Sequence, residues 1–399
     1  MTSNNGDYDI VIVGGGPVGS TLGRYLAENK YNVAILEKKN KIGVPLQCAG
    51  LLARKVEEVN ILPKDVIINR VYGAYIHSPS NNTLKVSKKE PAAYVLDRVA
   101  YDKFLSQSAV DKGCKLFLGH KVVDVDIEKG ELKVKYKNKI KNFKAKIIVG
   151  AGGHSSIISR KLNQSLPTME AVQYLVDMGQ PNLNSDCVHV YVDSKISPGF
   201  IWIIPLSDSL ARIGLFSKYN YHQMNHILKE FMEKNSKFES AKILKKYQGH
   251  IPLYDSEKKI VKDRAILLGD AASQVKPTSG GGLIIGFECA RIASEIAMKA
   301  LDQDNIKLLK EYEKNYKKKF GSELKIQLQI QKTFERMTNN ELDSMFIKLK
   351  KEGAEQIISK YGDMDNQSPL LKEMIKSRII FSVLPKVFFR RISKLWKST

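Results

Sequence analysis

The first forty residues contain a strand, a glycine-rich turn, a helix and a second strand, in that order. Residues 9–13 are a short apolar run of the kind that forms a buried parallel strand. A helical pattern begins at Val18, and the second strand ends at Glu37. Between the first strand and the helix lie three glycines in a GxGxxG arrangement: Gly14, Gly16 and Gly19. This βαβ unit predicts a Rossmann-like nucleotide-binding domain.

Each glycine of this turn has its own physical role. Gly14 permits the tight turn, Gly16 lets the backbone approach a pyrophosphate, and Gly19 lets the helix pack on the strand. The free amides at the helix N-terminus then face the negative phosphates. A carboxylate at Glu37 can accept hydrogen bonds from ribose hydroxyls. The turn therefore predicts a bound dinucleotide.

A second glycine-rich segment, residues 264–282, indicates which dinucleotide is bound. Its pattern is a strand, an acidic turn at Asp270, a proline break and a glycine-rich entry into a helix. An NAD dehydrogenase has no need of this element, whereas in a flavoprotein Asp270 can bond the ribityl or pyrophosphate region; the alternative is a simple helix cap. The amides around Gly281, Gly282 and Leu283 can lie beneath a flavin ring, where the helix dipole favours the anionic reduced form. We therefore predict that the cofactor is FAD.

Segments typical of antiparallel strands separate the two glycine-rich regions, and the pattern after residue 281 is almost wholly helical. We predict an α/β fold with an α+β insertion, in which an antiparallel sheet interrupts a Rossmann-like domain. Asp97 is expected to cap a helix, and residues 305–337 to form a long solvated helix. The expected parts are an FAD-binding domain at 1–65, 92–165 and 256–304, an antiparallel-sheet substrate domain at 66–91 and 166–255, and a helical C-terminal region at 305–399.

Three further motifs carry a resemblance to a known family. They are PLQCAG at residues 45–50, FIWIIP at 200–205 and VKPTSGGG at 275–282. With the order of the other motifs, the chain resembles the para-hydroxybenzoate-hydroxylase-type flavoproteins. Within these it is similar to the geranylgeranyl reductase family, especially the archaeal digeranylgeranylglycerophospholipid reductases. The resemblance covers roughly residues 7–300.

The resemblance implies contacts to FAD for individual residues. Two positions depart from the family pattern: residues 151–153 are Ala-Gly-Gly where relatives often carry Ala-Asp-Gly, and residue 200 is Phe where Tyr is usual. The implied contacts are Gly14, Gly16, Val18, Gly19 and Glu37 for the adenosine half, Val122 for the adenine through its backbone, Arg98 for the pyrophosphate or ribityl oxygens, Cys48, Ala49 and Leu51 for the isoalloxazine ring, and Asp270, Gly281, Gly282 and Leu283 to close the site.

Cys48 is the candidate catalytic residue. A thiol beside the flavin can tune its redox state or help to deliver a proton, but a cysteine can equally pack there as a small, soft residue. Phe200, Trp202 and Pro205 are the candidate substrate-lining residues. The two aromatic side chains alternate along a strand and point to one face. They line a slot for a long apolar substrate or belong to an ordinary core.

The chain carries an excess of basic side chains. Its 64 Lys and Arg against 42 Asp and Glu give a net charge of +22, which indicates an anionic partner such as a phospholipid surface or a phosphorylated substrate. No nucleic-acid-binding module accompanies this charge, so nucleic acid is not expected. The basic and aromatic residues 371–396 are expected either to lie on anionic lipid as interfacial helices or to pack on the body.

Other sequence patterns bear on the cellular location of the protein and on whether it binds a metal. No signal-peptide pattern opens the chain and no apolar run is long enough to span a bilayer, so we expect a cytoplasmic protein that is peripheral on the inner face of the cell membrane. His222 and His226 are four residues apart, a spacing that can bind metal. The segment has the pattern of an amphipathic helix, so the two histidines are expected to lie on its solvated face, and we predict no metal.

The resemblance implies an FAD-dependent reductase that saturates C=C bonds of geranylgeranyl chains on a glycerophospholipid precursor in archaeal membrane lipid synthesis. The implied substrate is a prenylated glycerophospholipid or geranylgeranyl diphosphate, and the implied electron donor is NAD(P)H or a ferredoxin-like protein. The residues alone indicate a flavoprotein with an apolar, anionic-headed substrate. One alternative is a monooxygenase of the same fold that acts on an aromatic or polyprenyl compound. Another is a non-catalytic flavin-binding protein of the membrane surface.

Overall fold

Parallel strands and helices alternate at the start of the chain, antiparallel strands dominate its middle, and helices fill its C-terminal part. The computed structural model describes residues 4–162, 164, 167–181 and 183–383. The strands are β1 (Asn4–Val13), β2 (Val33–Leu36), β3 (Leu51–Ala53), β4 (Ile67–Val71), β5 (Gly73–His77), β6 (Thr83–Ser87), β7 (Ala93–Leu96), β8 (Lys115–Phe117), β9 (Lys121–Asp126), β10 (Glu131–Tyr136), β11 (Lys139–Gly150), β12 (Thr168–Asp177), β13 (Cys187–Tyr191), β14 (Ile201–Pro205), β15 (Leu210–Ser217), β16 (Lys242–Pro252), β17 (Val261–Lys262) and β18 (Ala265–Leu267). The helices are α1 (Pro17–Glu28), α2 (Val56–Val59), α3 (Arg98–Asp111), α4 (Ile157–Lys161), α5 (Tyr221–Glu233), α6 (Leu283–Asp302), α7 (Lys310–Phe334), α8 (Asn339–Lys351), α9 (Ala354–Tyr361), α10 (Ser368–Lys376) and α11 (Ile379–Val383).

The first sheet contains the predicted βαβ unit. In the described residues it has eight strands, with the main order β17-β18-β11-β1-β2-β8 and the hairpin β9–β10 attached to β11. β1 is parallel to both β2 and β11, and β8 and β18 continue the parallel run. The strand centres are enclosed, as expected for a parallel sheet with helices on its faces. Fully buried residues include Ile10, Ile12, Ile35 and Ile147.

The second sheet forms from the antiparallel block. In the part of the chain that is described, its seven strands have the order β16-β12-β15-β14-β13-β5-β6, and only the β5–β13 pair is parallel. One face packs against α5 around Tyr174, Ile213 and Leu228. The opposite face carries Trp202 and Ile204, which pack in another apolar cluster and line a large cavity. The predicted α/β class with an antiparallel insertion and a helical C-terminal region is confirmed.

Sheet membership supports a proposed division of the chain. β1, β2, β8–β11, β17 and β18 belong to the first sheet, while β5, β6 and β12–β16 belong to the second. A small sheet, β3-β7-β4, lies on the boundary at residues 65 and 66, because β3 precedes this boundary and β4 follows it. We propose that the chain divides into the FAD-binding domain, the antiparallel-sheet substrate domain and the helical C-terminal region, with the predicted boundaries.

Helices α8 and α9 cover one edge of the second sheet, the edge formed by β6. The Lys85 and Ser87 amides of β6 donate to the Glu355 carboxylate at 2.6 Å and to the Ser359 hydroxyl at 3.1 Å. Asp343 of α8 accepts from the Ser80 amide at 2.9 Å. Because an uncovered edge strand exposes unpaired amides, these contacts satisfy amides of β6 and fix the C-terminal helices against this edge.

Helix α7 differs from the predicted solvated helix. It lies within the predicted range but buries Tyr312, Tyr316 and Leu324 along one side. Lysines on the other side outnumber these residues, so composition alone did not reveal the buried stripe. On the buried side of α7, Gln327 is 0 % exposed and accepts from the Thr278 hydroxyl at 3.1 Å. Helix α7 therefore contacts the second glycine-rich segment.

The described part of the basic tail packs into the molecule. Leu371, Met374, Ile379 and Ile380 are buried in one apolar cluster with α8, so this part is not an exposed interfacial helix. An amphipathic helix suits a protein surface as well as a lipid surface, which is why the pattern left both possibilities. The rest of the predicted interfacial segment, from residue 384, lies outside the described residues. No helix in the described ranges has the length and apolar character needed to cross a bilayer.

Candidate active site

A large cavity lies between the first sheet, the second sheet and the C-terminal helices. Its volume is about 1320 Å³, whereas ordinary ligand pockets occupy about 300–1,000 Å³. Both glycine-rich turns line it, together with the loop before β3, one face of the second sheet and side chains of the C-terminal helices. The cavity therefore has room for a dinucleotide and a second ligand.

Contacts that exclude side chains shape the first glycine-rich turn. Gly14 has a φ of +119°, and a Cβ there would lie 2.3 Å from the Ala151 carbonyl oxygen. A Cβ at Gly19 would lie 2.2 Å from the Gly14 carbonyl oxygen, so the third glycine packs α1 against the turn. At Gly16, by contrast, no atom of the described residues beyond its two chain neighbours lies within 4 Å of the Cβ position. Because Gly16 lines the cavity, its open side can admit a phosphate group.

Helix α1 begins with amides that no side chain caps. Its N-cap is Gly16, and Pro17 is its first residue. The Gly15 amide donates to Glu37 Oε2 at 2.8 Å and the Lys39 amide to Glu37 Oε1 at 2.9 Å. An uncapped helix N-terminus attracts phosphate, and a carboxylate held at the end of β2 can accept from hydroxyls. These features fit the ADP half of FAD.

Asp270 lies in a turn that a buried glutamine holds in place. Gln274 is 0 % exposed; its Oε1 accepts from the Gly269 amide at 2.8 Å, and its Nε2 donates to the Tyr312 hydroxyl at 2.7 Å. The Asp270 carboxylate lines the cavity and has no hydrogen-bond donor among the described residues. Burial raises the pKa of Asp270 to about 6, against the opposing effect of Arg98. A ligand hydroxyl would supply the missing donor.

We expect Asp270→Asn to remove a pH dependence from the stability of the FAD-free protein. Because the pKa of about 6 in the folded state exceeds the ordinary value of 3.8, the folded protein binds more protons than the unfolded chain between these pH values. Wild-type stability should therefore fall as the pH rises through this window, by up to about 3 kcal/mol relative to the variant. Urea unfolding at a series of pH values measures the difference. Parallel pH profiles for the two proteins would contradict the burial of this carboxylate.

Helix α6 presents a second uncapped N-terminus to the cavity. Its N-cap is Gly282, and Gly281, Gly282 and Leu283 line the cavity. A Cβ at Gly282 would lie 3.3 Å from Asp270 Oδ1, so the acidic turn and the helix start are adjacent. The positive end of the α6 dipole suits a ring that becomes negative on reduction.

Cys48 lies in the loop between β2 and β3. Its sulfur accepts from the Gly50 amide at 3.4 Å, and the Arg98 guanidinium lies beside it. Arg98 is buried and pairs with Asp102 at 2.9 Å. Burial acts to lower the pKa of Arg98, but the Asp102 carboxylate and Cys48 outweigh burial and raise it. Arg98 is therefore a fixed cation in the cavity wall, and the roles of both residues toward FAD stay predictions.

Phe200 and Trp202 lie on the face of the second sheet that meets the cavity. Trp202 Nε1 donates to Gln173 Oε1 at 3.1 Å. Gly214 leaves room for the indole, since a Cβ there would lie 2.5 Å from Trp202 Cζ2. The Phe200 ring meets the indole edge-on, with centroids 6.3 Å apart. These contacts hold the indole in one orientation at the cavity wall.

Most of the predicted site residues line this one cavity. Gly19 does not, because it packs against Gly14 inside the turn. Pro205 does not either: it ends β14, and its carbonyl accepts from Asn69 Nδ2 at 3.0 Å. Within the described ranges, no group of three His, Cys, Asp or Glu could hold a metal ion. The predicted residues that line the cavity are Gly14, Gly16, Val18, Glu37, Cys48, Ala49, Leu51, Arg98, Val122, Phe200, Trp202, Asp270, Gly281, Gly282 and Leu283.

The C-terminal helices add an apolar surface to the cavity that the sequence pattern did not reveal. Helical spacing in α8 predicts a buried face there but not what that face covers. Ile76 of the second sheet packs against the same cluster. We call this surface the apolar arm, and it consists of Ile330, Phe334, Met345, Leu349, Ile358, Leu370, Leu371, Met374 and Ile380.

Two buried cations at the site were also missed. Lys276 lines the cavity, and its Nζ lies 2.7 Å from Asp365 Oδ1 and donates to the Met364 carbonyl at 2.8 Å. Arg212 of β15 donates to the Ala49 carbonyl. Lys276 belongs to the VKPTSGGG motif, but the motif gives no indication of its partners, which are distant in the chain. No sequence pattern marks Arg212.

Comparison with known proteins identifies the family. The chain matches the FAD binding domain family over residues 7–320. It is 30 % identical to digeranylgeranylglycerophospholipid reductase 2 of Methanopyrus kandleri, with 85 % of this chain and 89 % of the relative covered. The chain belongs to the geranylgeranyl reductase family. It is an FAD-dependent oxidoreductase, as the resemblance implied, and the predicted cofactor is confirmed.

Two further comparisons cover nearly the whole chain. An uncharacterised protein of Methanocaldococcus jannaschii is 35 % identical to this reductase-family chain, covering 94 % of it and 96 % of the relative. The crystal structure of a geranylgeranyl bacteriochlorophyll reductase-like protein from Thermoplasma acidophilum has a TM-score of 0.84 at 23 % identity, covering 94 % of this chain and 98 % of its own. That structure shows the same fold.

Proposed function

We propose that the protein saturates the C=C bonds of geranylgeranyl chains on a glycerophospholipid precursor of membrane lipids. The observation that carries this proposal is one cavity, about 1320 Å³ in volume, that both glycine-rich turns and the apolar arm line. The turns fit FAD, and the arm offers aliphatic and aromatic side chains to a second ligand. A long isoprenoid chain suits such a surface, because burial of apolar area drives its binding.

The residues that hold FAD are proposed from the geometry of the two turns. The uncapped start of α1 and the open side of Gly16 receive the pyrophosphate, while Glu37 accepts from the ribose. Asp270 accepts from the ribityl or pyrophosphate region, and the start of α6 faces the ring. When bound in its reduced form, FAD supplies the hydride equivalent for the reaction.

The rest of the reaction is protonation of the substrate and stabilisation of the resulting positive charge by residues of the protein. An isolated trisubstituted alkene accepts a hydride poorly, so addition of a proton must build positive charge on a substrate carbon. The faces of Phe200 and Trp202 can stabilise that charge through their ring quadrupoles. Trp202 is 9 % exposed, so this wall excludes water from the carbon. Cys48 is our candidate for delivering the proton or tuning the flavin.

Partners and location are proposed from charge and substrate. The net charge of +22 and exposed lysines of α8 and α10, such as Lys351 and Lys372, suit the anionic headgroup of a phospholipid and an anionic membrane surface. Peripheral association with the inner face of the membrane would bring the enzyme to such a substrate. NAD(P)H or a ferredoxin-like protein is proposed as the electron donor.

The test is an anaerobic incubation of the FAD-loaded protein with digeranylgeranylglycerophospholipid and a chemical reductant in D₂O. Mass spectrometry should show gains in steps of one hydrogen pair, with deuterium on the product carbons. The matched control contains free FAD and reductant without protein and should leave the lipid unchanged. A lipid that the enzyme also leaves unchanged would contradict the proposal, and a product that gains oxygen in air would indicate a monooxygenase.

A further inference from the structure

Arg212 is a buried arginine whose charge no carboxylate balances within the described residues. It lies on β15 and is 6 % exposed. Its Nη1 donates to the Ala49 carbonyl oxygen at 2.8 Å and to the Leu96 carbonyl oxygen at 3.1 Å. Carbonyl groups stabilise a guanidinium without neutralising it. Arg98, in contrast, pairs with Asp102 at 2.9 Å.

The groups that face Arg212 leave its charge unbalanced. Asp97 carries the one facing carboxylate among the described residues, and it caps α3 by accepting from the Val99 and Ala100 amides at 3.0 Å. Burial lowers the pKa of Arg212, as expected when a charge leaves water. An unpaired charge in a protein interior is unfavourable, so a negative partner is expected from outside the chain. The facing titratable groups are Cys48, Asp97, Arg98 and Tyr247.

The loop before β3 packs directly on the guanidinium. Gly50 has a φ of +80°, and a Cβ there would lie 2.3 Å from Arg212 Nη1. The Ala49 and Leu51 residues on either side line the cavity. Arg212 therefore lies immediately behind the part of the wall that is proposed to meet the isoalloxazine ring.

We propose that Arg212 supplies the fixed positive charge that stabilises the anionic reduced form of FAD and raises its midpoint potential. The oxidised ring takes two electrons and one proton from the external electron donor, and the negative charge that results balances the arginine. Arg212 acts on the ring through the loop before β3, so it is a positioning residue and not a catalytic one. The inference rests on the proposed placement of the ring against Ala49 and Leu51.

The first test compares Arg212→Gln with Arg212→Lys. Glutamine retains a hydrogen-bond donor for the Ala49 carbonyl but removes the charge, whereas lysine keeps the charge. We expect Arg212→Gln to favour oxidised over reduced FAD by at least tenfold more than wild type does. For a two-electron couple this corresponds to a midpoint potential about 30 mV lower. Arg212→Lys should stay close to wild type in a dye-referenced redox titration of the holoenzyme.

A second pair places a negative charge near Arg212 without replacing it. Tyr247 lies on the edge strand β16, lines the cavity and faces Arg212. Tyr247→Glu should lower the midpoint potential in the same direction as Arg212→Gln, whereas the neutral control Tyr247→Gln should not. If the Arg212→Gln protein fails to fold or to retain FAD, this pair decides alone.

Two results would overturn the inference. One is an equal change of potential in the glutamine and lysine variants of Arg212, which would indicate a purely structural role. The other is equal potentials for Tyr247→Glu and Tyr247→Gln. The titration needs no prenyl lipid, so a protein that follows the expected pattern but reduces no lipid would contradict the proposed function alone.

Discussion

Replacing Gly16 with alanine is expected to weaken FAD binding by a few hundredfold while leaving the stability of the FAD-free protein within about 1 kcal/mol of wild type. No atom of the described residues beyond its two chain neighbours lies within 4 Å of the Gly16 Cβ position, and Gly16 lines the cavity. A methyl group there meets the cofactor rather than the protein. Loss of two charge-assisted hydrogen bonds to phosphate would cost about 3–4 kcal/mol, or a few hundredfold in affinity. Titration of apoprotein with FAD, followed by flavin fluorescence, measures this loss.

Gly19→Ala is the matched control for this experiment. Its Cβ would lie 2.2 Å from the Gly14 carbonyl oxygen, so the clash is internal. We expect this variant to lose about 3 kcal/mol of unfolding free energy even without FAD. A Gly16→Ala protein that binds FAD normally, or that is destabilised as much as Gly19→Ala, would show that Gly16 does not border the pyrophosphate.

Filling the apolar arm is expected to block prenyl substrates without affecting FAD. Leu370 of α10 lines the cavity and is only partly buried, so Leu370→Trp places a larger ring in the arm at modest strain. An apolar pocket discriminates added groups by about 1–3 kcal/mol. We therefore expect kcat/KM for a geranylgeranyl lipid to fall by roughly tenfold or more, with FAD affinity unchanged. Lipid reduction at several substrate concentrations measures the effect.

Leu370→Met is the control at the same position, because it approximately conserves side-chain volume. It should reduce the lipid at close to the wild-type rate. If tryptophan and methionine behave alike, the isoprenoid chain does not occupy the apolar arm. If tryptophan instead weakens FAD binding, the arm belongs to the cofactor site.

Local patterns predicted the nucleotide-binding part of the fold well. The βαβ unit follows from an apolar run, three glycines and Glu37, which are close together in sequence and each need only local geometry. Asp97 caps α3 as expected, with its carboxylate accepting from the Val99 and Ala100 amides. The buried side of α7 was missed because its apolar residues are scattered among lysines, and only the tertiary structure shows what they contact.

The residues of the candidate site also divide into those that local sequence predicted and those that only tertiary contacts reveal. Asp270 and Gly282 were found because a turn and a helix start bring them together within thirteen residues, and the structure places them side by side. Arg212 and Lys276 were missed, because the groups that hold them lie on distant elements. Pro205 was assigned to the cavity through its motif, although the strand ends there and its carbonyl bonds Asn69 instead. Sequence thus predicts what a turn can bind, and packing decides which side chains surround it.

The measurement that tests the central claim most directly is a single-turnover experiment. The FAD-loaded protein is reduced anaerobically, freed of excess reductant and mixed with a geranylgeranyl glycerophospholipid. Our account predicts that the oxidised flavin absorbance returns as C=C bonds disappear, with one bond saturated for each flavin reoxidised. Flavin that stays reduced in the presence of bound lipid would contradict the account, because it would show that the cofactor does not pass its electrons to the isoprenoid chain.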